Sequence, residues 1–159
     1  MENHENKRTD AALRVIKADA HTIYEAFLNP RAVATWRPPM GMDCDIYEFE
    51  PKVGGKFRMA FRYLNSEHEI PGKTVPDADV VEGTFLELIP DEKIVELIRF
   101  ESDDPAFAGD MTITTKLVPM QDGTEVTFVA GNVPTGIRPE DHDKGMRSTL
   151  ANLAAFTEL

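Results

Sequence analysis

Apolar and polar side chains alternate most regularly between Lys56 and Leu64. There Phe57, Met59, Phe61 and Tyr63 point one way, and Lys56, Arg58 and Arg62 point the other. A period of two over that length predicts a strand with one buried face. Less regular segments flank it. Leu13 to Lys17 predicts a first strand, with Leu13, Val15 and Lys17 alternating with Arg14 and Ile16. Asp43 to Glu50 predicts a second, and Pro51-Lys52-Val53-Gly54-Gly55 turns it back, its glycines able to take positive φ. Val80 to Ile89 and Lys93 to Glu101 predict a hairpin across Pro90-Asp91-Glu92. Both of its strands are apolar on more than one parity, which places a bulge near Gly83. Met111 to Val118 shows Met111, Ile113 and Leu117 on one face. Gln121-Asp122-Gly123 turns it into Thr124 to Gly131, with Val126, Phe128 and Ala130 inward.

Helical spacing appears in three places. Asp19 caps a short helix from Ala20 to Phe27, and Asn29-Pro30 opens a second that carries Val33 and Trp36. Arg37-Pro38-Pro39 stops it. From Pro139 onward Met146, Leu150, Leu153 and Phe156 recur at helical intervals. The predicted class is α+β: one strand, two short helices, an antiparallel run of strands and a long closing helix. An antiparallel sheet with one polar face buries the other, and only the last helix is long enough to cover it. A curved sheet wrapped around one helix, a helix-grip fold, leaves a space between them where a small hydrophobic or amphipathic ligand would sit. The predicted lining is Trp36, Phe57, Met59, Phe61, Phe85, Ile98, Met111, Ile113, Phe128, Met146 and Leu150. Solid core packing is the competing role for the same side chains.

Composition narrows the partners. The chain has 159 residues, enough for one domain at the usual ~100–200 residues. Residues 1–10 read as a polar, flexible tail and 11–159 as the domain. A net charge of −11 repels phosphate backbones and anionic lipid, so neither nucleic acid nor a membrane surface is expected as partner. Cys44 stands alone, which excludes an intrachain disulfide and a thiolate metal cluster. The polar start and the lack of a long apolar run point to a reducing cytoplasm.

Catalytic signatures are sparse. His4, His21, His68 and His142 have no second ligand at metal spacing, so neither a metal nor a cofactor is expected. His142 lies one helical turn before Met146 and either looks toward the cavity mouth or is solvated. Glu96 shares parity with Ile94, Ile98 and Phe100. If that parity is inward, Glu96 is a lone carboxylate in an apolar cavity, hard to ionise and suited to acid–base chemistry. If Val95 and Leu97 face inward instead, it is surface. Gly54-Gly55 lacks the context of a phosphate loop. Asn65 to Asp79 is a long loop of the kind that is functional or mobile.

Several segments resemble the START and birch-pollen-allergen superfamily, also called SRPBCC. Within it they resemble the family named for the activator of heat-shock-protein 90 ATPase. Ala18 to Phe27 with Asn29-Pro30 is similar to the family's opening helix, and Trp36 to the aromatic ending its second helix. Gly54-Gly55-Lys56-Phe57-Arg58 resembles its glycine pair and following strand. Gly83 to Pro90 with Asp91 to Val95 resembles its most recognisable hairpin. Gly123-Thr124-Glu125-Val126 and Gly145 to Leu153 complete the match. The resemblance implies the helix-grip fold and a cavity enlarged where Met146 replaces a frequent Trp. It also implies a longer insert around Pro71 to Asp79, and it links the chain to stress response. It leaves three roles open: ligand binding, a cyclase-, isomerase- or hydrolase-like enzyme, and stimulation of a chaperone ATPase. The expected partner is a small hydrophobic molecule. A homodimer stays open, and a chaperone partner is not expected of this chain alone.

Overall fold

The Asp19 carboxylate accepts the Thr22 backbone N–H at 2.7 Å and starts helix α1 (Ala20–Ala26). The Asn29 side chain accepts from Arg31 and Ala32, with Pro30 in the first turn, and starts α2 (Pro30–Trp36). Both caps satisfy N–H groups that a helix end leaves without partners. These elements belong to a computed structural model that describes residues 8–64 and 78–158. The remaining elements are β1 (Asp10–Ile16), β2 (Met42–Phe49), β3 (Lys56–Tyr63), β4 (Ala78–Ile89), β5 (Lys93–Phe100), β6 (Met111–Met120), β7 (Gly123–Gly131) and α3 (Pro139–Thr157). The predicted loop at Asn65, with His68 and Pro71, lies outside the described residues up to position 77, as does His4.

The strands form one antiparallel seven-stranded sheet in the order β1-β7-β6-β5-β4-β3-β2. Phe57 and Met59 from β3, Ile94 and Ile98 from β5, and Val126 and Phe128 from β7 share a buried cluster with Met146, Leu150 and Leu153 of α3. The predicted helix-grip architecture is the observed one.

Local details refine the expected picture. β1 begins at Asp10, inside the segment assigned to the tail, and turns Ala12 and Ile16 inward, leaving Leu13 and Val15 exposed. On α3 the buried stripe runs through Leu153 to Thr157, while Phe156 is exposed. At about 100° per residue, position 157 returns to within about 20° of Met146, whereas position 156 lies about 80° off. The irregularity in the β4–β5 pairing falls near Gly83 but not at it, between Phe85 and Glu87. Gly83 instead permits a close approach, since a Cβ there would sit 2.4 Å from the Phe57 ring and 2.3 Å from the Leu97 carbonyl oxygen. Gly83→Ala is therefore expected to destabilise the fold by about 3 kcal/mol, the cost of overpacking against backbone that cannot yield. A urea midpoint unchanged from wild type would show that the sheet adapts.

Candidate functional site

Between the inner face of the sheet and α3 lies a cavity of about 480 Å³, within the usual range for small-molecule sites. Its wall includes Phe57, Met59 and Phe61 of β3, Ile98 of β5, Met111 and Ile113 of β6, Phe128 of β7, Met146 of α3 and Trp36 at the end of α2. Nine of the eleven residues predicted to line it thus border it. Phe85 and Leu150 do not. Phe85 is fully buried against the rings of Phe49 and Phe57, at centroid distances of 5.6 and 5.1 Å, which fill the space beside it. Leu150 is 1% exposed and lies wholly within the core under α3. Sequence reasoning missed Arg37, Phe107, Thr115, Ile137 and Arg138 on the same wall.

Trp36 is fixed from two sides. Its indole Nε1–H donates to the Ala26 carbonyl at 2.9 Å, and its ring meets Phe27 edge-on at 4.7 Å. The next residue turns into the cavity wall. Pro38 and Pro39 end α2 and leave carbonyls without helical donors. Side chains of α3 supply them: the Thr149 hydroxyl donates to the Arg37 carbonyl and the Asn152 amide to the Pro38 carbonyl. The backbone of Arg37 is thereby anchored, and its guanidinium reaches across to Glu96.

Glu96 faces inward, on the parity of Ile94 and Ile98, and is 2% exposed. It is not a lone carboxylate. Arg37 Nη1 and Nη2 donate to its two oxygens at 2.8 and 3.0 Å, a bidentate pair. Burial alone would lower the pKa of Arg37, but the charge and hydrogen bonds of Glu96 hold it above its ordinary value. The pair occupies Glu96, because both of its oxygens are already taken by one guanidinium. Glu96 also stands behind the wall, and only Arg37 of the two borders the cavity.

His142 borders the cavity, with its Nδ1 2.7 Å from Oδ2 of Asp10. Arg8 donates to the same oxygen at 3.0 Å. Burial works to raise the pKa of Asp10, but the hydrogen bonds from His142 and Arg8 outweigh it and hold the carboxyl below its usual value. The Cys44 thiol is half-buried on β2, and burial pushes it up to about 11, so it is no nucleophile at neutral pH. Among the described residues no cluster of His, Cys, Asp or Glu could hold a metal ion. No helix there is long and apolar enough to cross a membrane.

A curved antiparallel sheet gripping one helix over an apolar cavity defines a START-type, SRPBCC protein. The chain belongs to the activator of Hsp90 ATPase homolog 1-like family, whose sequence profile matches residues 17–158. A crystal structure of a protein from Chromobacterium violaceum is 34% identical, with a TM-score of 0.84 over 95% of this chain and 97% of that one. A solution structure of an AHSA1-like protein from Aeromonas hydrophila shares the fold at 15% identity, with a TM-score of 0.70 over 95% and 92% of the two chains. A Rhodobacter sphaeroides protein does so at 16% identity, with a TM-score of 0.75 over 95% and 92%. No curated protein matches the chain.

The charged pairs make two effects measurable. Glu96→Gln leaves the Arg37 guanidinium uncompensated beneath α3 and is expected to cost about 3 kcal/mol in urea denaturation. A loss below ~1 kcal/mol would mean that water solvates Arg37 instead. Asp10 ionises at lower pH in the folded than in the unfolded chain. Its contribution is therefore complete above the unfolded value of ~3.9, apart from a margin up to about pH 5, and is lost as pH falls through the folded value. Asp10→Asn should flatten the acid limb of a stability–pH profile, and an unchanged limb would assign it to other carboxylates.

Proposed function

We propose that the protein binds a small hydrophobic or amphipathic molecule in the cavity between the sheet and α3, and carries it rather than transforming it. The observation that supports this is the cavity itself: about 480 Å³, walled by aromatic and methionine side chains. Aromatic rings offer large rigid contact area and methionines adapt to irregular shapes, a combination suited to an apolar guest. Carriage is favoured over turnover because the one inward carboxylate of β5 is consumed by Arg37.

Nile red, an uncharged apolar dye, provides the test. Titration should give saturable fluorescence enhancement at one dye per chain, with matching quenching of Trp36, the chain's only tryptophan and part of the cavity wall. Linear, non-saturating uptake, or none, would count against a binding role.

A further inference from the structure

The polar side chains on the cavity wall are engaged almost without exception. Trp36 and Thr149 donate to backbone carbonyls. Tyr63 and Asp79 also have partners. Each basic group bordering the cavity already faces a carboxylate: Arg37 faces Glu96, Arg138 lies 2.6 Å from Glu140 and 3.9 Å from Asp141, and His142 lies against Asp10. Thr115 differs. It is fully buried on β6, borders the cavity, and its hydroxyl has no hydrogen-bond partner among the described residues.

The surroundings of Thr115 make its hydroxyl conspicuous. It follows Met111 and Ile113 and precedes Leu117 on the inward parity of β6, and it pairs across the sheet with Ile94 and Phe128. Every one of those neighbours is apolar. Valine has the same shape and would fit there without removing a hydroxyl from water. A hydroxyl left without a partner loses its hydration and gains nothing for it. The position therefore suits a ligand that supplies the missing hydrogen bond.

Resting on the carrier reading above, we propose that the ligand is an uncharged amphipathic molecule whose hydroxyl or carbonyl group bonds to the Thr115 hydroxyl, and that carboxylates are discriminated against. The charge argument carries the second half. A carboxylate brought into the cavity would shed its water, and every described cation on the wall is already neutralised by an acidic neighbour. A threonine hydroxyl donates one hydrogen bond and accepts others, so it serves an alcohol or a ketone equally well. The apolar remainder of the ligand is then held by Phe57, Met59, Phe128 and Met146.

Displacement of Nile red by 2-naphthol, 2-methylnaphthalene and 2-naphthoate tests this on one ring system with three substituents. For the wild-type chain, 2-naphthoate should bind at least tenfold more weakly than 2-naphthol. Thr115→Val should lower the affinity for 2-naphthol relative to 2-methylnaphthalene by about tenfold, while Thr115→Ser should leave that ratio near its wild-type value. The valine variant without ligand should also melt above wild type, since it drops the unpaired hydroxyl. An unchanged naphthol-to-methylnaphthalene ratio overturns the role of Thr115, and 2-naphthoate binding as tightly as 2-naphthol overturns the discrimination. In either case saturable Nile red binding leaves the carrier reading standing. Failure of the dye and all three naphthalenes to bind overturns both. Should the valine variant not fold, Thr115→Ala takes its place in the ratio, and the 2-naphthoate comparison needs no variant.

Discussion

One helix cannot fill the concave side of seven strands. At ~4.8 Å between neighbours, six spacings make a sheet about 29 Å wide, while a helix with its side chains is about 10 Å across. Curvature brings the sheet around α3 but does not close the difference. The shortfall is met in part by large side chains, where Phe49, Phe57 and Phe85 pack ring against ring, and by Ile23, Phe27, Val33 and Trp36 from α1, α2 and the turn between them. Elsewhere it remains as space. The cavity is thus a consequence of strand number and helix width, and its chemistry is set by whichever inward residues border the unfilled part.

The Arg37–Glu96 pair joins parts of the chain that lie far apart in sequence. Glu96 belongs to the middle of the sheet, Arg37 to the end of α2, and the carbonyl of Arg37 to a hydrogen bond from α3. Sheet, short helix and long helix therefore meet at one residue, the sheet at its guanidinium and α3 at its carbonyl. Such a pair gives up much hydration, and its merit lies in geometric specificity more than in net stability. Arginine suits this position because its planar fork matches a carboxylate in one orientation.

The sequence made the frame legible and the site only in part. The alternation of Phe57, Met59 and Phe61, and the caps Asp19 and Asn29, are local signals, and each corresponds to an observed element. β5 was ambiguous because Val95 is buried along with Ile94, Glu96 and Ile98, so composition could not say which parity the cavity meets. Arg37 carries no local signal, because its partner is 59 positions away and the two prolines after it read only as a helix stop. Pattern places Phe85 on the wall because parity reveals facing and not depth. Thr115 did leave a signal: it interrupts the inward series of Met111, Ile113 and Leu117 with a hydroxyl.

The order of the strands has a bearing on how the chain reaches this state. β1 precedes the other described elements along the chain, yet its partner is β7, more than a hundred residues later. The Lys17 backbone N–H is held by Glu158, 141 positions on. Contacts of such sequence separation form late and slowly, since a long loop must close before any pairing rewards it. During synthesis β1 waits with both edges unpaired and Leu13 and Val15 available to strangers. The helix that covers the sheet, α3, follows all seven strands in chain order, so the cavity comes into being only after every strand has been made.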